Sequence, residues 1–335
     1  MSRIASRARH ARLIGMAIWL SESDVRAVLP MGDLIESMET ALTAFSSGRV
    51  RQPVREVIEA GTDGNFFAAM PAWLETGPAM GAKLVTVYHA NGSRGLPTHQ
   101  AAIVLLDAEN GSLLAVMDGR YITEARTAAV SAVALRRLAR TGARTLAILG
   151  SGVQAGSHLQ AFSFVWKFEE IRCWSPTPAN LHRFLDGHPE VRPAASAEAA
   201  VRGADVVLLV TGSPTPVVWN DWVSDGACVI SVGACRPHQR EMDPLLVARG
   251  RVIVDSRAAA LKEAGDLVMA MSEGHFSPDR IAGEIGEVLA GRIEGRTSEQ
   301  EVTILKPLGQ AVEDVAAAQL AYTRAIALGR GVPLA

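Results

Sequence analysis

Thr145-Leu146-Ala147-Ile148-Leu149, followed by Gly150-Ser151-Gly152-Val153-Gln154-Ala155, is the stretch that decides the fold class of this chain. An apolar run of strand length leads into Gly-x-Gly-x-x-Ala, and a helical pattern over residues 155–165 follows directly. A buried strand that turns through two glycines into a helix is the pattern of a dinucleotide-binding unit. Gly150 permits the tight turn, Gly152 lets backbone approach a pyrophosphate, and Ala155 keeps helix and strand close. Free N–H groups at the helix start, together with the helix dipole, favour a diphosphate at that end. Ser151, Val153 and Gln154 complete the cradle.

Working outward from this turn, the downstream sequence alternates. Apolar runs at 171–174, 206–210, 228–232 and 252–254 read as strands, with helical stretches at 178–185 and 197–201 among them. Near-continuous apolar strands separated by helices predict a doubly wound parallel sheet covered on both faces, a Rossmann domain of the α/β class. Upstream the grammar differs. Strand patterns around Val54 to Ile58, at 66–74, 83–88 and 101–106 follow one another without helices, which predicts an α+β domain with a mixed or antiparallel sheet. A helical pattern with Leu34, Met38, Leu42 and Phe45 on one face fills residues 21–48, with Ser21 or Ser23 as its cap and Gly48 as its stop. Long Ala-rich helices are expected at 122–138 and 308–327.

Composition limits the function classes. The chain has 335 residues, 48% apolar and 20% charged, with a formal net charge of -2. At roughly 150 residues per domain this length suggests two domains. Near-neutral charge gives no electrostatic reason to expect a nucleic acid or an anionic membrane as partner. No apolar run approaches the ~18 residues of a membrane span. Cys173, Cys228 and Cys235 are too few and too scattered for a disulfide framework or a zinc site, and the eight histidines show no metal-ligand spacing. No metal is expected, and the setting is a reducing, cytoplasmic one. Residues 1–16, with Arg3, Arg7, Arg9 and Arg12 and no acid, read as a basic tail or an upstream start.

Cofactor choice belongs to the end of the second strand. Cys173-Trp174-Ser175-Pro176-Thr177 begins its turn at Ser175, 25 residues after Gly150, where an acidic residue would hold ribose hydroxyls. This turn carries no carboxylate to repel a 2′-phosphate, and the hydroxyls of Ser175 and Thr177 are able to donate to one. NADP(H) is therefore favoured and NAD(H) remains possible.

Many short stretches in one order carry a resemblance. They include Gln52-Pro53-Val54-Arg55, Met70-Pro71-Ala72, Ala82-Lys83-Leu84-Val85-Thr86 and Pro97-Thr98-His99-Gln100-Ala101. Ala115-Val116-Met117-Asp118-Gly119, Arg126-Thr127-Ala128-Ala129-Val130-Ser131 and Val232-Gly233-Ala234-Cys235-Arg236-Pro237 follow, then Ala260-Leu261-Lys262-Glu263 and Ala311-Val312-Glu313-Asp314. From residue 18 to the end the chain resembles the ornithine cyclodeaminase/mu-crystallin family, in its ketimine-reductase branch. The resemblance implies a substrate-binding and dimerisation domain at 17–122 and 305–335, a nucleotide domain at 123–304, and a homodimer joined through the first domain's sheet.

It also implies site residues. Arg55, Lys83 and Arg126 would surround a substrate carboxylate, with Met70, His99 and Glu263 lining the substrate. Thr98, His99, Arg126, Thr211, Val232, Ala234 and Arg236 would join Gly150 to Gln154 and Ser175, Pro176 and Thr177 around the cofactor. A planar guanidinium grips a carboxylate through two charge-assisted hydrogen bonds, and a lysine adds a compact charge and a transferable proton. The informative departure is Gly233-Ala234-Cys235-Arg236-Pro237. Cyclodeaminases resemble Gly-Gly-Asp-x-Pro here, so the position of their acid is Cys235, which is no fixed anion at neutral pH. Pro307 stands where a serine near the cofactor is usual. The expected activity is reduction of a cyclic ketimine carboxylate, pyrroline- or piperideine-2-carboxylate, to proline or pipecolate. The alternatives are ornithine cyclodeamination, an alanine or N-alkyl amino acid dehydrogenase, and, in another class, a mu-crystallin-like binder of small ligands.

Overall fold

The computed structural model describes residues 16–61 and 64–334, so the basic stretch at 1–15 lies outside the described residues. The chain divides into two compact units, one reaching Thr127 and resuming at Gln310, the other spanning Ala128–Gly309. Both divisions fall slightly C-terminal to those drawn from the sequence, the first inside the helix Arg120–Leu138.

The first unit holds strands β1 (Ile18–Leu20), β2 (Val50–Arg51), β3 (Glu56–Glu59), β4 (Phe66–Leu74), β5 (Ala79–Val87), β6 (His99–Leu106) and β7 (Leu113–Asp118). Their sheet runs from a short edge strand, Val332–Pro333, through β1, β7, β6, β5 and β4 to β2, with β3 also paired to β4. Only β1 and β7 pair in parallel; the remaining neighbours are antiparallel, which makes the sheet mixed. Helices Met31–Ser46 and Ala311–Leu328 pack on each other, and the latter also packs on β4 and β5. Leu34, Met38, Leu42, Val85, Ile103 and Leu105 are buried in this layer.

The helical pattern at 21–48 is in fact two helices, Glu22–Val28 and Met31–Ser46. Ser21 caps the first through a reciprocal box with Asp24. Pro30 breaks the run because its ring disfavours helical backbone at Leu29, which adopts φ −117° and ψ 76°.

The second unit is an eight-stranded parallel sheet. Its strands are β8 (Thr145–Leu149), β9 (Glu170–Trp174), β10 (Arg192–Pro193), β11 (Val206–Leu209), β12 (Cys228–Ser231), β13 (Arg251–Val254), β14 (Ile281–Glu284) and β15 (Thr303–Lys306). The spatial order is β10-β9-β8-β11-β12-β15-β13-β14, all neighbours parallel. The first five reproduce the doubly wound order 3-2-1-4-5, with the switch point between β8 and β11, where such sheets bind their ligands. Strands β10, β14 and β15 carry no strand signal in the sequence. Residues 303–306 look amphipathic, yet all four are buried, because the charge of Lys306 is met inside the unit. Among the described residues no helix is long and apolar enough to cross a membrane.

Candidate functional site

The glycine turn after β8 is built as the sequence implies. Gly150 has φ +113°, a left-handed conformation, and its N–H donates to the Trp174 carbonyl at 2.9 Å. A Cβ there would lie 2.7 Å from the Val210 carbonyl oxygen, so only glycine fits between β8 and β11. Gly152 is the N-cap of the helix Val153–Ser163; no side chain caps it, and the space where its Cβ would stand is open. An uncapped helix start beneath an open glycine is a fitting cradle for a diphosphate. The helix is anchored from behind by His158, whose Nε2 lies 2.9 Å from Ser131 Oγ. Burial lowers the His158 pKa to about 4, so this imidazole is neutral.

At the end of β9, Ser175 is half-buried while Pro176 and Thr177 are exposed. Thr177 is the N-cap of the helix Pro178–Gly187 but makes no side-chain cap bond. No carboxylate stands in this turn, as the sequence already shows. Thr211 follows β11 and Ala234 follows β12, and both donate their N–H groups to the buried Glu241 carboxylate. Val232 and Arg236 are half-buried on the same segment, as is Cys235, a free thiol. Glu263 ends the helix Arg257–Glu263 and is buried rather than solvated.

In the first unit the sequence candidates converge on one buried cluster. Alternation along β5 sends Leu84 outward and Lys83 inward, the reverse of the usual partition, leaving Lys83 2% exposed. Met70 is its register partner on β4, also buried. Lys83 Nζ lies 2.6 Å from Asp314 Oδ2. Arg126 Nε meets Asp314 Oδ1 at 3.0 Å, and Arg126 Nη1 meets Glu313 Oε2 at 2.7 Å. Glu313 and Asp314 belong to the first turn of the helix Ala311–Leu328, where the helix dipole favours negative charge. The start of that helix is tied down by Gln52, whose Oε1 accepts from Val312 N at 2.9 Å while its Nε2 donates to Gln310 Oε1 at 2.7 Å. Neither acid has a role in the sequence reading, although both lie in a quoted motif. Their signal is two adjacent carboxylates at the start of an otherwise Ala-rich helix.

The electrostatics follow from burial and charge. Burial lowers the Lys83 pKa to about 8; Asp314 opposes this, and the Arg126 and Arg55 charges add to it. Burial pushes the Asp314 carboxyl up, but Arg126 and Lys83 together hold it below the usual range. Burial, with Lys83 and Arg126 behind it, lowers His99 to about 4, so at neutral pH it is an uncharged imidazole. Arg55, just before β3, is half-buried, and Thr98, just before β6, is exposed. Asp314 serves both Lys83 and Arg126, and the Arg55 charge is near enough to act on Lys83. Arg126 is held by both Glu313 and Asp314. Among the described residues no group of His, Cys, Asp or Glu is placed to hold a metal ion.

Comparison with known proteins agrees with this architecture. The ornithine cyclodeaminase/mu-crystallin family profile matches residues 17–328. The chain belongs to this family. Ketimine reductase mu-crystallin of Mus musculus is 42% identical to it over 293 residues, covering 86% of this chain and 91% of that protein. The Thermococcus litoralis Delta(1)-pyrroline-2-carboxylate reductase, solved in complex with NADH and L-proline, superposes with a TM-score of 0.92 at 34% identity. That match covers 95% of this chain and 100% of the other. An archaeal alanine dehydrogenase dimer with bound NAD superposes at 0.90 with 30% identity, covering 95% of this chain and 99% of its own. The Rossmann sheet and the mixed sheet are thus the family's fold.

Proposed function

We propose that this chain is a reductase of cyclic ketimine carboxylates, taking pyrroline-2-carboxylate or piperideine-2-carboxylate to proline or pipecolate. The observation that carries the reading is the buried Lys83, held at 2.6 Å by Asp314, which also takes the Arg126 guanidinium. The relatives point the same way: one is a ketimine reductase and another is a pyrroline-2-carboxylate reductase holding NADH and proline.

A reduced nicotinamide held by the second unit would supply the hydride. Everything else is the work of this chain's residues. The second unit would hold the dinucleotide at Gly150 to Gln154, with NADP(H) favoured because Ser175, Pro176 and Thr177 carry no acid against a 2′-phosphate. Arg55 pairs with the substrate carboxylate through two charge-assisted hydrogen bonds. Lys83, with a pKa of about 8, is mostly ammonium at neutral pH and gives the ring nitrogen its proton. One hydride to carbon and one proton to nitrogen turn C=N into CH–NH. Asp314 keeps the lysine nitrogen oriented through the transfer, and Lys83 regains its proton from solvent. His99, being neutral, lines the substrate as a hydrogen-bonding group rather than as a cation.

The deciding experiment follows NADPH and NADH oxidation with pyrroline-2-carboxylate, piperideine-2-carboxylate, and pyruvate with ammonia or methylamine. Turnover of a cyclic imine, faster with NADPH, is expected. Oxidation with the open-chain pairs alone would replace the reading by an amino acid dehydrogenase, and dinucleotide binding without any turnover would replace it by a ligand binder.

The same reading includes a homodimer. The open face of the first unit's sheet carries an apolar groove of about 770 Å³ lined by Trp73, Met80, Ala82, Val104 and Leu106 among others. An apolar face of that kind, left uncovered in a single chain, suits a second copy of the same face. Light scattering after size exclusion is expected to give twice the monomer mass of 35.5 kDa. Trp73→Glu should shift it toward the monomer, and a wild-type mass of one chain would end the dimer assignment.

A further inference from the structure

Backbone N–H groups at the C-terminal edge of the parallel sheet are treated in two ways. At the glycine turn after β8, the helix start at Gly152 has no side-chain cap and open space beside it. The N–H groups after β11 and β12 are gathered by one buried side chain, Glu241. Its Oε1 accepts from Thr211 N at 2.6 Å and Thr211 Oγ1 at 2.8 Å. Its Oε2 accepts from Gly233 N at 2.7 Å and Ala234 N at 3.2 Å, and Ser231 Oγ stands 3.1 Å from it and 3.1 Å from Asp266 Oδ2, sharing one proton between them. The Glu241 backbone is itself held: Asp266 Oδ1 accepts from the Glu241 and Met242 N–H groups, and Asp266 Oδ2 lies 2.9 Å from Lys306 Nζ. Gly233 lies so close that a Cβ there would collide with the Thr211 carbonyl. The two segments are therefore locked to each other, and the Thr211 hydroxyl is spent on Glu241.

We propose that Glu241 is a positioning residue for dinucleotide binding, setting the backbone of Thr211, Gly233 and Ala234 in the shape the cofactor meets. This rests on the reading of the second unit as the dinucleotide-binding unit. Glu241 touches no ligand in this scheme; it acts through the segments it ties. A carboxylate is suited to the task because both oxygens accept, so converging N–H groups meet no donor. Glutamine in its place would turn one acceptor into a donor facing backbone N–H groups.

The test compares two buried carboxylates of the same sheet. Asp205 accepts from Arg144 N at 2.7 Å and Thr145 N at 2.9 Å, at the N-terminal edge of β8, away from the ligand edge. Dissociation constants for NADPH and NADH are read from nucleotide fluorescence, and unfolding temperatures are read without ligand. Glu241→Gln should raise the NADPH dissociation constant by about tenfold or more, the size expected of one buried unsatisfied group. Asp205→Asn should lower the unfolding temperature while leaving that constant within about twofold. Should Glu241→Gln not fold, Ser231→Ala, which removes the hydroxyl that Glu241 shares with Asp266 and Lys306, is read instead and should raise the constant several-fold. Equal effects of the two edges on affinity, or wild-type affinity in Glu241→Gln or its substitute, would overturn the proposal. Failure of the wild-type chain to bind either nucleotide would instead overturn the reading beneath it.

Discussion

Lys83→Met should lower kcat/KM for pyrroline-2-carboxylate by about 10²- to 10⁴-fold, the range for loss of a positioned proton donor. The substitution preserves the length of the side chain and removes the proton, the charge and the partner of Asp314. Arg55 and Arg126 remain, so the carboxylate still finds positive charge, and the loss should fall more on kcat than on KM. The wild-type pH profile supplies a second reading of the same residue. Lys83 works in its protonated form, and its pKa lies at about 8, so the rate should fall as pH rises through that value. The alkaline limb should be absent from the residual activity of Lys83→Met. Rates measured from pH 6 to 10 for both proteins check this, and an unchanged rate in the variant would remove Lys83 from the proton step.

Asp314→Asn is expected to have the largest effect on stability, a loss of about 3–5 kcal/mol, as for removal of one partner from a buried ion pair. Here a single carboxylate serves two buried cations, Lys83 and Arg126, and Glu313 pairs with the second. Because the Asp314 pKa is lowered in the folded chain, its contribution is present above the ordinary carboxyl range near pH 4. It is lost as pH falls through the lower, folded value, so the wild-type chain should lose this stability in acid and the variant should lack that part of the loss. Activity should respond in a particular direction. Removing the negative charge lowers the Lys83 pKa further, which moves the alkaline limb to lower pH. Urea unfolding at several pH values and a pH–rate profile test both parts. A profile that stays in place would separate Asp314 from the proton step even if stability fell.

Much of the fold was legible from residue order alone. Strand, glycine turn and helix at 145–165 are local features, each set by neighbours in sequence. The alternation downstream of them follows the same logic, which is why the parallel sheet was foreseeable. Local signals fail where partners are distant. Strand β15 carries a lysine that Asp266, forty residues away in the chain, and Ser231, on another strand, make tolerable in a buried position. The break at Pro30 is itself a local signal, overridden in the reading by an apolar face that continues across it.

The site divides along the same line. Residue identity alone establishes the glycine turn and the missing acid at Ser175 to Thr177, since each is a matter of which atoms a position can offer, whereas the meaning of Cys235 comes from the family resemblance. The tertiary structure decides that Lys83 faces inward, that Arg126 is already matched by two carboxylates, and that Asp314 shares its charge between them. Charge state depends on burial and on groups brought together from opposite ends of the chain, and neither is written in any one stretch of sequence.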